Sequence, residues 1–234
     1  MVNVVNYNTD KGFLSYIIQF LASNTLNFEA RGTDAVFDFE DALDQTEMAY
    51  LAVRELKKIP EVNNLFQERW LPVNFHVDEL IHLPEGTLGH VYAHRIKSQK
   101  LNPYFYKTIP VVDDVSYLKM LWRTTHDIYH LVAGFDTDEI GEIGLQAFFI
   151  GQTPIPISAM IVSFGLVMIS LYRPHKFKYL MSEISRGYNL GCQTPGKFIA
   201  QKWDEYWDVQ LSEIRVNLGM NCGDINKFGR NISA

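Results

Sequence analysis

The residues best suited to chemistry in this chain lie together in His126-Asp127-Ile128-Tyr129-His130. Two histidines four residues apart on a helix share one face about one turn apart, so both imidazoles can reach a single ion. A helix alone supplies two such ligands, and a third must come from another element. Glu142 is placed to provide it. The segment carrying His130 runs to Gly134, and Asp136-Thr137-Asp138-Glu139 then reads as a new helix start, with a capping residue and carboxylates in the first turn. So short a break predicts an antiparallel helical hairpin centred near residue 136. His130 stands six residues before that centre and Glu142 six after it, which puts them side by side across the pair.

The surroundings strengthen this reading. Glu142 is the last charge before 30 residues, Ile143 to Tyr172, that contain no Asp, Glu, Lys, Arg or His. Its helix continues through Ile143, Leu145, Ala147, Phe148, Phe149 and Ile150, apolar around nearly the whole circumference, as in a helix buried on all sides. A carboxylate there is costly unless it is paired or bound to a metal. Asp127 adjoins His126 and is either a fourth ligand or a partner that orients an imidazole. Two neutral histidines and two carboxylates around a divalent ion sum to zero charge. The wheel places His126 and His130 on the flank of an apolar stripe of Leu118, Leu121, Trp122, Thr125 and Val132, so the site requires a second helix over that flank. The other histidine clusters, His90/His94 beside Arg95 and His76 with Asp78, Glu79 and His82, read as structural.

These residues need helices to hold them, and the apolar period is helical almost throughout. Helices are expected at Asp10–Leu26, from Thr33 or Asp34 to Lys58, at Val62–Trp70, Thr87–Lys100, from Asp113 or Asp114 to Ala133, from near Asp136–Asp138 to before Pro154, at Ile157–Tyr172, His175–Leu190 and Phe198–Leu218. Period-2 alternation is scarce and no repeat or linker is evident. The fold class is all-α, read as a single helical domain over residues 1–234 with a metal-bearing antiparallel hairpin and a buried apolar helix. After Pro156 that helix offers 16 uninterrupted residues, short of the ~20 a bilayer core requires. It is read instead as the wall of an apolar pocket entered from the metal site, with Ser158, Ala159, Ser163, Gly165 and Ser170 leaving room beside it and Met160 and Met168 adapting its surface.

Composition sets the outer limits. Lys plus Arg number 21 against 27 for Asp plus Glu, a net charge of −6, which argues against nucleic acid as a partner. Cys192 and Cys222 read as unpaired thiols of a reducing compartment. Asn231-Ile232-Ser233 is a formal glycosylation acceptor with no secretion signal to give it meaning. The first residues lack a basic or apolar targeting pattern.

The spacing His126-Asp-x-x-His130, eleven residues, then Glu142 resembles the zinc motif of the coenzyme Q (ubiquinone) biosynthesis protein 4 family. Leu83-Pro-Glu-Gly-Thr-Leu-Gly89 with Tyr92, Arg123 three residues before His126, and Trp203-Asp-Glu-Tyr-Trp-Asp208 with Leu211, Glu213, Arg215 and Leu218-Gly219 are similar to further blocks of it. The resemblance covers about residues 83–219. It implies an all-helical protein whose metal, zinc or else iron, is held by His126, Asp127, His130 and Glu142. It also implies a prenylated lipid or quinone precursor as ligand, a membrane surface and other quinone-biosynthesis proteins as partners, and chemistry tied to loss of the ring C1 carboxyl.

On this reading the protein is cytoplasmic and peripheral to the membrane. It is a metal-dependent decarboxylase of a prenylated hydroxybenzoate, with Glu142 and Asp127 in the catalytic site and Arg123 meeting a substrate carboxylate or phosphate. Zinc supplies no oxidation, so an oxidative version needs iron or an outside oxidant. The alternative is a non-catalytic lipid-binding scaffold. A homodimer is compatible with surface apolar helices. A metal-dependent phosphohydrolase, prompted by the His-Asp pair, would need further His and Asp ligands that the spacing does not offer.

Overall fold

The structure, a computed structural model, describes residue 41 and residues 47–72, 75–153, 155–194 and 197–220. The helix expected at Asp10–Leu26, the first part of the one ending at Lys58, Cys222 and Asn231–Ser233 lie outside the described residues. Within them the chain is all-α, as the periodicity predicts. Its helices are α1 (Glu47–Leu56), α2 (Pro60–Glu68), α3 (Val77–Leu80), α4 (Leu88–Gln99), α5 (Asp114–Ala133), α6 (Glu139–Gln152), α7 (Pro156–Tyr172), α8 (Phe177–Gln193) and α9 (Leu211–Asn217).

Local chemistry sets the ends of the elements that matter. Asp113 caps α5 in a reciprocal box with Ser116, its carboxylate accepting from the Ser116 N–H at 2.8 Å. Gly134 closes the helix in the left-handed region, φ 71°. Asp138 restarts the chain by accepting from the Gly141 N–H at 2.8 Å. The turn between is braced from α8, where Arg186 donates to the Gly134 carbonyl at 3.1 Å and lies 3.8 Å over the Phe135 ring. Arg215 of α9 donates to the carbonyls of Leu131 and Val132, two of the acceptors that the end of α5 leaves open.

Helix α6 is buried around its circumference, as its all-round apolar sequence predicts. Leu145, Phe148 and Phe149 enter the main core with Leu121, Trp122, Tyr129, Phe198 and Trp203. Ile140, Ile143 and Ala147 enter a second cluster with Val162, Ile169 and Leu180. The closest partner of α6 along its length is α8, where two glycines let the backbones meet. A Cβ at Gly187 would lie 2.2 Å from the Gly144 carbonyl oxygen, and one at Gly191 would lie 2.1 Å from that of Phe148. Neither neighbour can yield, because both are backbone. Gly187→Val should therefore destabilise the protein by about 3 kcal/mol, the upper end of overpacking costs, measurable by urea unfolding. A midpoint at the wild-type value would contradict this packing.

Two expectations are corrected. Residues 198–218 do not form one helix. Phe198–Ala200 and Trp203–Tyr206 are single 3₁₀ turns, and regular helix returns only in α9. The intervening backbone bonds to the Leu83–Gly89 segment instead: Leu88 N–H donates to Val209 O, Gly89 N–H to Trp207 O and Leu211 N–H to Gly86 O, each at 2.9 Å. The two blocks noted in the sequence thus meet in space, and Gly89 is needed because a Cβ would stand 2.9 Å from Trp207 O.

The second correction concerns α7. This apolar helix is not enclosed, because only Ser158, Val162, Gly165, Met168 and Ile169 are buried. It offers one narrow seam to the rest of the protein. Val167, Leu171 and Tyr172 are exposed on it, with Phe177, Tyr179 and Met181 exposed just beyond.

Candidate metal centre

Helix α5 presents His126 and His130 with ring centroids 4.7 Å apart and planes at 77°. The start of α6 presents Glu142 to both. Its Oε1 lies 3.1 Å from His130 Nε2 and its Oε2 lies 3.4 Å from His126 Nε2. One ligand atom from each of the three residues falls within 4.8 Å of the others. Further from the turn, Trp122 and Phe149 meet with centroids 4.1 Å apart, so bulky aromatic side chains hold α5 and α6 together beyond Glu142.

The outer nitrogens say how the rings are set. His130 Nδ1 is 3.3 Å from the Phe135 carbonyl, which can only accept. The proton is therefore assigned to Nδ1, which leaves a lone pair on Nε2 in the neutral ring. His126 Nδ1 faces the Asp127 carboxylate at 3.6 Å. A ligating histidine characteristically directs its second nitrogen at a carbonyl or carboxylate in this way. His130 Nε2, fully buried, makes no aligned hydrogen bond despite its closeness to Glu142. A lone pair set against a carboxylate oxygen is unfavourable unless a proton or cation stands between them. Two imidazoles and one carboxylate are a fitting donor set for a divalent ion, zinc in particular, with a position left open.

Charges within the site point the same way. Burial disfavours ionising Glu142 and His126, yet their mutual attraction outweighs it. His130 and His126 hold the Glu142 carboxyl well below the usual carboxylate range. Glu142 and Asp127 raise His126 above an ordinary histidine. A metal ion must displace that proton, so its affinity should rise with pH below the raised value, by about tenfold per unit, with close to one proton released per ion. Calorimetry in buffers of different ionisation enthalpy checks this, and a binding heat independent of buffer would contradict it.

Asp127 stands on the far side of the His126 ring and does not join the three-residue group. Arg123 is buried elsewhere in the network, donating from Nη1 to the Lys107 carbonyl at 2.7 Å, with Nη2 3.6 Å from Asp41. His90 is tied to the carbonyls of Ile81 and Leu83 at 3.1 Å, a structural role. Sequence reasoning passed over Arg95 of α4, which is buried and reaches the same Phe135 carbonyl as His130. Its signal was present, because Leu88, Tyr92, Arg95 and Ile96 share the buried face of α4 and a cation on that stripe calls for an explanation.

One helical turn before His126, Trp122 helps line an apolar recess of about 80 Å³ with Met48, Ala52, Val115, Leu118 and Ile157. This is far below the ~300–1,000 Å³ of drug-sized ligand sites. Only the first residues of α7 touch it, so that helix is not the long pocket wall expected from its composition. The rest of α7 lies against α6 and α8 or at the surface.

A model of the family described as coenzyme Q (ubiquinone) biosynthesis protein Coq4 matches residues 28–223. The chain belongs to the Coq4 family. It is 28% identical over 178 residues to the ubiquinone biosynthesis protein COQ4 homolog, mitochondrial, of Rattus norvegicus, covering 71% of this chain and 63% of that one. It is 25% identical over 203 residues to ubiquinone biosynthesis protein COQ4, mitochondrial, of Yarrowia lipolytica, covering 82% and 74%. The chain thus spans roughly two-thirds of the length of these relatives. Among solved structures, a candidate ubiquinone biosynthesis protein from Nostoc punctiforme superposes with a TM-score of 0.83 at 69% identity, covering 92% of this chain and 99% of that one. As in the expectation from length, no helix among the described residues of this Coq4-family chain is long and apolar enough to cross a membrane.

Proposed function

We propose that this protein is a metal-dependent component of ubiquinone or related prenylquinone biosynthesis, acting on a prenylated hydroxybenzoate with loss of its ring C1 carboxyl. The observation that carries the reading is the convergence of His126, His130 and Glu142, with the unbonded His130 Nε2 aimed at the carboxylate. Membership of the Coq4 family supplies the biosynthetic context. His126, His130 and Glu142 would hold the ion, zinc or alternatively iron. When bound, such an ion supplies Lewis-acid stabilisation of negative charge developing on the ring. The Phe135 carbonyl would orient His130 through Nδ1, and the Asp127 carboxylate, 3.6 Å from His126 Nδ1, would favour that ring electrostatically. The recess beside Trp122 takes an apolar segment next to the headgroup. The experiment is to load the protein with Zn²⁺ or Fe²⁺, add a prenylated 4-hydroxybenzoate and follow CO₂. Equal release by wild type and Glu142→Ala would remove the proposal.

A second reading, a lipid-binding scaffold, is favoured by the exposed face of α7. His175, Lys176 and Lys178 follow Leu171 and Tyr172 after Arg173-Pro174, and the two lysines alternate with exposed Phe177 and Tyr179. Apolar and basic side chains together suit the surface of an anionic membrane. There the protein would organise other quinone-biosynthesis proteins, as a monomer or a homodimer. Purified protein would then carry lipid without turnover, and substitutions at the metal ligands would lower stability instead of rate.

A further inference from the structure

A buried cation stands beside the metal centre with almost nothing to hold. Arg95 is 8% exposed, and the one hydrogen bond of its guanidinium among the described residues, from Nη2 to the Phe135 carbonyl, is stretched to 3.5 Å. The same carbonyl accepts from His130 Nδ1, so the guanidinium and the ligand imidazole converge on one oxygen. Burial disfavours the charge of Arg95, while Asp136, Asp127 and Glu142 favour it from beyond bonding distance. Asp136 is exposed and screened by solvent. An arginine carries five N–H donors in a rigid fork matched to the paired oxygens of a carboxylate or phosphate. The remaining donors of the fork are not among the buried unpartnered atoms, so they touch solvent, and the paired oxygens of a ligand can replace that water. The other buried arginine nearby in sequence, Arg123, is committed to Lys107 O and Asp41.

We propose that Arg95 is the anion anchor of this site, receiving a carboxylate or phosphate of the ligand while the adjoining part of the same headgroup faces His126, His130 and Glu142. The inference rests on the metal-centre reading given above. The charges agree with it. A divalent ion and Arg95 bring three positive charges, Glu142 and Asp127 bring two negative ones, and a monoanion neutralises the remainder.

The test is calorimetric titration of the zinc-loaded full chain with 4-hydroxybenzoate, its methyl ester and inorganic phosphate. The wild type should bind the acid about tenfold or more tightly than the ester, the gain expected of a charge-assisted bidentate contact. Arg95→Gln should erase that preference while leaving ester affinity and zinc content unchanged. Arg95→Lys, which keeps the charge and loses the fork, should restore only part of it. Phosphate binding that depends on Arg95 and matches or exceeds that of the acid assigns the anchor to phosphate-bearing ligands.

Equal binding of acid and ester by the wild type overturns the proposal without recourse to any variant. So does an acid preference that survives Arg95→Gln, because the anion then sits on the ion alone. Loss of zinc from Arg95→Gln makes Arg95 a positioning residue for His130 and equally overturns the anchor. The metal-free protein is titrated in parallel. A wild type that holds no zinc yet prefers the acid through Arg95 would sink the metal centre and leave the anchor standing.

Discussion

Replacing Glu142 by Gln should lower zinc affinity by about 100-fold or more and stop the proposed CO₂ release, while the fold survives. Structural zinc sites with four ligands are worth ~10–16 kcal/mol, so one charged ligand accounts for roughly 3 kcal/mol, or about two decades in Kd. The substitution keeps the shape of the side chain and removes its charge. In the metal-free protein it also deprives His126 and His130 of the carboxylate that faces both Nε2 atoms. The effect on folding stays small because the Glu142 side chain is 36% exposed and nothing in the core depends on its volume. Competition with a chromophoric chelator measures the first effect and thermal unfolding the second. Zinc affinity within threefold of wild type would exclude Glu142 as a ligand. A large loss of stability at unchanged turnover would favour the scaffold reading.

Placing aspartate at both Val167 and Leu171 should weaken binding to vesicles containing anionic lipid by about 100-fold, without altering the melting temperature. Both residues are on the free face of α7, at 49% and 64% exposure. Burying a side chain of that size stabilises a complex by ~1.5–3 kcal/mol, so each loss costs about a decade. Binding should also weaken with salt, because His175, Lys176 and Lys178 contribute through screened charge. Co-sedimentation with phosphatidylglycerol vesicles reads both effects. Unchanged sedimentation of the double variant would exclude this face as the membrane contact.

The grouping of His126, His130 and Glu142 was legible because helical spacing is rigid. A spacing of four from His126 to His130, and a short capped break before Glu142, constrain where those side chains can go. The burial of α6 was legible because no polar face was available to it. What escaped was settled between distant segments. The stretch from Phe198 to Leu218 carries helical periodicity, but backbone donors and acceptors at Trp207–Leu211 are taken by Gly86–Gly89, a competition invisible from either segment alone. The composition of α7 shows that it is apolar, yet not how much of it has a partner. The α6–α8 contact is tight enough to exclude side chains at Gly187 and Gly191, which leaves α7 only one seam. Arg95 was overlooked beside the paired histidines of α4, although its register with Leu88 and Tyr92 marks it as buried.

Anomalous X-ray scattering from crystals of the zinc-loaded protein tests the central claim most directly. The account predicts one peak per chain, bounded by His126 Nε2, His130 Nε2 and the Glu142 carboxylate at about 2.0–2.2 Å, and lost in Glu142→Gln. A map without density at that point, or a peak on other residues, would contradict it.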